Sequence, residues 1–270
     1  MNKMVITGAT IVTFLVIMAV LAPLFSSYDY KEQNISERLQ PPSSKHLMGT
    51  DEYGRDVFTR MLYGARISMS VGLIAVLIAT FIGIILGSIS GYFGGVVDNI
   101  IMRFVDIVLT IPSLFLILIL VVFLGPSIFN IMLIIGLTSW TDIARIMRAE
   151  VMSLKKIAFV DAARLIGLRK REIIFKHIIP NAVSPIFVYM TFGISGAILI
   201  ESGLSFLGLG VQPPEPSWGN ILTAGKDYIH SAWWMIAYPG FAIFLSVFGF
   251  NILGEGLRDY LNPKLKKEDL

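Results

Sequence analysis

The sequence predicts an all-α polytopic membrane protein with about six transmembrane helices and one short helix held outside them. Three observations predict it. Of 270 residues, 55% are hydrophobic and only 15% charged, where soluble domains carry about 25% charged residues. Mean hydropathy is +0.73. Apolar runs of about 20 residues, long enough to cross a bilayer as helices, recur along the chain. The sequence has no cysteine, which excludes disulfides, thiolate metal sites and cysteine nucleophiles. His46, His177 and His230 are scattered without metal-ligand spacing. No catalytic, metal or cofactor site and no nucleic-acid partner is expected. The bilayer is.

The first apolar run, Val5–Phe25, follows a short basic start and precedes Ala22-Pro23, a poor cleavage site. It is read as an uncleaved first span. Ser26–Leu47 is polar, contains Pro41-Pro42 and is read as extended. In Asp56–Arg66, residues Val57, Phe58, Met61, Leu62 and Ala65 recur at helical spacing. That pattern fits a helix lying on the outer membrane face, or a solvated turn entering the second span. Ile67–Ser90 is that span. Its Gly83, Gly87 and Gly91 allow close helix approach, either to a partner subunit or within this one. Phe104–Leu124 is the third span, which Pro112 is expected to kink. Arg103 and Asp106, three residues apart, can pair there. Ile128–Trp140 is the fourth, with Asp142, Arg145 and Arg148 crowding its end. Ala182–Ile200 and Ser231–Leu253 complete the set. Residues 1–66 form a first unit and 67–270 the core, with a polar loop over 142–181.

Charge placement orients these spans. With the N-terminus inside, inner segments hold Lys3, Arg103, the nine basic residues between Asp142 and Asn181, and Arg258, Lys264, Lys266 and Lys267. That excess fits the positive-inside rule, with both termini cytoplasmic. The tail Lys264-Leu265-Lys266-Lys267 is read as a solvated inner-face end.

The 142–181 loop carries the strongest local signal. Ala158, Ala162 and Leu165 share one helical face, and the alanines keep it shallow enough for a partner surface. Gly167 can take positive φ and end the helix. Leu168–His177 then alternates basic and apolar residues, and Pro180 stands where the next span begins, needing no N–H there. The alternative is an amphipathic helix resting on lipid headgroups. Glu201 ends the fifth span. It either lines a pathway near an outer gate or is an interfacial carboxylate, solvated or capping the next turn. Trp218, Trp233 and Trp234 suit the membrane interface.

Asp161-Ala162-Ala163, then Gly167, then Pro180 resembles the coupling motif of permease subunits of ABC importers, with Asp161 where Glu is usual. Gly49–Asp56, Gly64–Ser68, Glu201–Gly210, Pro213–Gly219 and Asn251–Asp259 resemble the peptide/nickel branch of that family. The resemblance implies a six-span fold. It assigns ATPase coupling to Asp161, Ala162, Ala163 and Gly167, with His177, Pro180 and Asn181 holding the base. It implies four partners beside the bilayer: a homologous permease, two cytoplasmic ATPase subunits and an extracytoplasmic substrate-binding protein. The function it implies is import of dipeptides or oligopeptides across the cytoplasmic membrane, with nickel or a metal chelate as the alternative cargo.

Two other classes are weighed. An intramembrane serine protease could use Ser195 in Gly193-Ile194-Ser195-Gly196, with His230 as base. A secondary transporter would need intramembrane ionisable groups and inverted repeats, and the sequence shows few of the former and no evident repeat. The chain carries no P-loop, so ATP hydrolysis is expected in another subunit.

Overall fold

The longest helix organises the rest. The structure, a computed structural model, describes residues 3–261, the Arg164 side chain excepted; the basic 264–267 tail lies outside them. Helices α1 (Lys3–Val20) and α2 (Ala22–Phe25) lead into an irregular loop with one 3₁₀ turn at Ile35–Glu37. Helix α3 then runs unbroken over Val57–Phe93. Its 37 residues measure about 55 Å, against about 30 Å of bilayer hydrocarbon. Its first turns therefore stand outside a bilayer.

Those turns correct the reading of Asp56–Arg66. The segment is neither a membrane-surface helix nor a solvated turn. Val57, Met61, Leu62 and Ala65 are buried in protein, and so are Thr59 and Arg60 on the expected polar face, where Arg66 alone is exposed. Asp56 caps the helix by accepting the Thr59 N–H at 2.7 Å. The 66/67 boundary drawn from the sequence falls inside this continuous helix.

After α3 come α4 (Gly95–Thr110) and α5 (Ser113–Leu124), which meet at 85°. Pro112 does more than kink the third span. It lacks the N–H that would continue the ladder, and its ring clashes with the preceding turn, so the helix stops and restarts. Helices α6 (Ile128–Thr138) and α7 (Trp140–Leu154) form one span interrupted only at Ser139. The polar segment holds α8 (Ala158–Leu165), α9 (Lys170–Glu172), a π-helical stretch Ile173–Ile178 and α10 (Ile179–Ala182). Helix α11 (Ser184–Phe206), the short α12 (Trp218–Gly225) and α13 (Trp234–Leu261) complete the order. Among the described residues, five spans are long and apolar enough to cross a membrane, and the bent α4–α5 pair makes a sixth.

Small residues set the packing. A Cβ on Gly83, Gly87 or Gly91 would come within 2.6, 2.4 and 2.7 Å of α7 atoms. The glycine seam is thus internal, α3 against α7, and the two run parallel. Helices α1 and α13 run antiparallel and equally close: a Cβ on Gly8 would lie 2.5 Å from the Leu253 nitrogen, and one on Gly256 2.7 Å from that of Val5. The start of α1 and the end of α13 therefore share one end of the bundle, the end that carries α8.

The two arginines crowding α7 are paired. Arg148 grips Asp98 through two bonds, Nε to Oδ1 at 2.5 Å and Nη2 to Oδ2 at 2.6 Å, and the Ser90 hydroxyl also donates to Asp98. Arg145 Nη2 reaches Asp106 at 2.6 Å. Asp106 thus pairs with α7, rather than with Arg103 on its own helix, and both bonds tie α7 to α4.

Candidate coupling surface

Helix α8 is short, and its ends are fixed by different means. Before it, Lys155 donates to the Tyr92 carbonyl at 2.5 Å and lies over the Tyr92 ring, anchoring the turn to the end of α3. After it, Gly167 sits at φ 82°, with Leu168 N–H bonded to the Ala163 carbonyl at 3.2 Å and Ile166 N–H to that of Ala162 at 3.1 Å. The first is the long bond of a Schellman-type helix end, which wants glycine at the left-handed position.

One face of α8 is turned in. Val160 and Ala163 are buried in a cluster with Ile173, Ile174 and Ile178. The other face is open: Ala158, Asp161, Ala162 and Gly167 are exposed, with Leu165 89% and Ile166 76% exposed. The shallow face predicted for Ala158, Ala162 and Leu165 is present as an exposed surface. Ala163 lies on the inward side and packs the helix down.

The support below α8 is continuous. Arg169 N–H donates to Glu172 at 3.2 Å and starts α9. That bond first, and Lys176 second, holds the Glu172 carboxyl below the usual carboxylate range. The π-helical stretch buries Ile173, Ile174 and Ile178 while Lys176 faces out. Asn181 Nδ2 donates to the His177 carbonyl at 2.6 Å, and exposed Pro180 stands in the first turn of α10. The structure therefore brings His177, Pro180 and Asn181 together at the base, beside a helix presenting Asp161, Ala162 and Gly167. Ile166 was not singled out in the sequence; an apolar pair, Leu165-Ile166, directly before a helix-ending glycine in a basic segment was its signal.

Glu201 belongs to the opposite end. It is fully buried, accepts from Ser205 Oγ at 2.8 Å and lies 3.4 Å from Ser68 Oγ. Ser68 in turn takes the Trp218 N–H at 3.2 Å. Glu201 is thus an enclosed knot between α11, α3 and α12 rather than a solvated interfacial group. Trp218 and Trp234 are likewise interior: their indole N–H groups bond the carbonyls of Met61 and Thr50, each at 3.1 Å. Of the three tryptophans read as interfacial, only Trp233 is exposed. Ser195, the nucleophile of the protease reading, donates to Phe192 and Asn251 acceptors, and His230 is not among its partners.

A bundle of membrane-length helices, with one short helix held outside it on a packed base, is a polytopic membrane protein that presents a contact surface at one end. Comparison with known proteins agrees. Residues 83–267 match the family described as binding-protein-dependent transport system inner membrane component, and residues 1–42 match the N-terminal transmembrane domain of oligopeptide transport permease C. The chain belongs to the binding-protein-dependent inner-membrane component family and is a multi-pass inner-membrane protein. It is 46% identical to a dipeptide transport system permease of Alkalihalophilus pseudofirmus, over 98% of this chain and 87% of that one. It is 42% identical to an oligopeptide transport system permease of Bacillus subtilis, over 98% and 87%. A solved inward-facing MetNI methionine ABC transporter shares the fold, with a TM-score of 0.52 at 16% identity over 72% of this chain and 94% of that one.

Proposed function

We propose that this chain is one permease subunit of an ATP-driven importer for dipeptides or oligopeptides. The observation that carries it is the α8 surface, where Asp161, Ala162, Leu165, Ile166 and Gly167 face outward from a buried base. Exposed apolar side chains rimmed by charge mark a docking surface, and an ATPase subunit is the partner that fits. Eight basic residues besides Arg164 lie between Asp142 and Asn181, an excess that supports the α8 end, with the start of α1 and the end of α13, as the cytoplasmic one. A homologous permease completes the pathway, two ATPase subunits hydrolyse ATP, and a binding protein delivers cargo at the opposite end. Val160 and Ala163 pack α8 onto the π-helical stretch, in a buried cluster that α7 residues share, so ATPase closure moves these elements as one body between two states. The peptide cargo is carried over from the relatives' names.

The test is ATPase activity and uptake in liposomes holding all subunits, with and without peptide-loaded binding protein. Gly167→Arg is expected to keep the complex assembled and to lose peptide stimulation. Because residue 167 sits at positive φ, part of any loss there reports backbone strain of about 1–2 kcal/mol. Ala162→Arg, on the exposed helical face, adds bulk without that strain and should uncouple as well. Normal peptide-stimulated turnover in Ala162→Arg would overturn the coupling assignment.

A further inference from the structure

Among the described residues, Asp142 is a mid-span carboxylate that faces open space without a counter-charge. On α7, Asp142, Arg145 and Arg148 stand three residues apart. Both arginines are committed to α4, through Asp106 and Asp98. The Asp142 carboxylate is exposed and accepts only the neutral Tyr189 hydroxyl, at 2.8 Å. Asp98 and Asp106 each have an arginine; among the described residues Asp142 has no cationic partner.

Asp142 and Tyr189 line a cavity of about 370 Å³ between α3, α6–α7 and α11. That volume lies within the range of small-molecule sites, about 300–1,000 Å³. Leu109 and Ser113, either side of the α4–α5 break, form another wall. Most of the remaining lining is aliphatic or glycine, and Gly196 opens onto empty space, with nothing within 4 Å of where its Cβ would be. The carboxylate sits twelve residues before the end of α7, about 18 Å along the helix, well inside the span. Ionisable groups at that depth are rare, face the bundle interior or a water-filled cavity, and mark substrate or ion pathways.

We propose that Asp142, positioned by Tyr189, is a transient binding site for the α-ammonium group of a peptide in transit. This rests on the peptide-import reading. A peptide crossing the bilayer carries a charged amine whose desolvation is expensive. An uncompensated carboxylate in a largely apolar cavity offsets that cost locally. With one neutral hydrogen bond and open access, the site can also let the amine go. The carboxylate therefore selects for a free amino terminus along the pathway, separately from selection by the binding protein.

The natural absence of cysteine makes the test clean. Gly196→Cys places one thiol in the cavity of the complete transporter, with the other subunits cysteine-free. Its modification by a neutral methanethiosulfonate reagent is followed from the α8 side, with trialanine or N-acetyl-trialanine present. Trialanine should protect at a concentration at least about tenfold lower than the acetylated peptide, the ratio expected of a hydrogen bond to a charged group. Asp142→Asn should abolish that ratio and Asp142→Glu should keep it. Equal protection by both peptides on the Gly196→Cys background, which needs no charge variant, overturns the proposal. So does an undiminished ratio in Asp142→Asn. If peptide-loaded binding protein fails to stimulate the wild-type ATPase, the import reading itself has failed. If it stimulates and the peptides still protect equally, only the ammonium site falls.

Discussion

The two ends of this bundle solve opposite problems. At the end away from α8, the loop over residues 26–56 buries a group of charges beneath exposed ones such as Asp29 and Lys45. His46, Asp51, Arg55 and Asp56 are all 4% exposed or less. Asp51 takes Arg55 Nε at 2.6 Å and the N–H groups of Tyr53 and Arg55, and lies 3.4 Å from Arg60 Nε. His46 bonds Asp56 at 2.9 Å and stacks on Tyr28. At the α8 end the pattern inverts: Leu165 and Ile166 face solvent, and the groups beneath them are held by packing. A buried charge network whose polar groups are satisfied internally is complete as it stands, although the same loop exposes Ile35 and Leu47. At α8, leucine and isoleucine exposed beside charge over an apolar base are finished by a partner. The interior of the cap is built for stability and the α8 surface for contact.

Substitutions that attack each end in turn should separate these roles. Asp51→Ala has the largest expected effect on folding. It strands Arg55 and Arg60 without their shared carboxylate, and breaking a buried pair costs about 3–5 kcal/mol. A thermal melt in detergent should show a large drop, and an unchanged melting temperature would remove the contrast between the ends. Asp56→Ala comes next. It deletes the α3 cap, at about 0.5–2 kcal/mol, and the His46 partner with it; the same melt reads it.

Glu52→Gln should act weakly and with a definite pH dependence. Burial first, and the Asp51 charge second, push the Glu52 carboxyl above the usual range, and its Oε2 is buried without a partner. An acid whose folded value is raised binds more protons folded than unfolded. Its contribution is present below the unfolded value and is lost as pH rises through the folded one. Melts across pH 4 to 7 should therefore decline less in Glu52→Gln than in the wild type. Paired Leu165→Ser and Ile166→Ser should move the melt least, within about 0.5 kcal/mol for a surface change, yet weaken retention of the ATPase subunits on purification. A stability loss as large as that of Asp51→Ala would mean that α8 is part of the fold rather than a docking surface.

Legibility in the sequence differed between these ends for a physical reason. The α8 features depend on residues within a few positions of each other: an alanine face, a glycine at the turn, a proline at the next start. Local spacing reveals such features. The cap depends on partners far apart in the chain, such as Tyr30 with Glu215 and Trp234 with Thr50, and spacing reveals none of them. Its amphipathic Val57–Ala65 pattern was correctly apolar on one face. What covered that face, protein rather than lipid headgroups, was not encoded nearby.

Composition and the recurrence of long apolar runs were enough to determine an all-helical membrane bundle, because a chain in lipid has to satisfy its backbone within each span. Tertiary structure alone decided who pairs with whom. The Gly83–Gly91 seam turned inward to α7, and Arg145 chose Asp106 across helices. Pro112 broke its span by 85°. Glu201 closed on Ser205 and Ser68 away from water, while Asp142 was left facing a cavity with only a phenol. Hydropathy measures what a residue avoids, and the neighbour it meets is set by helix rotation and register, which only the packed bundle defines.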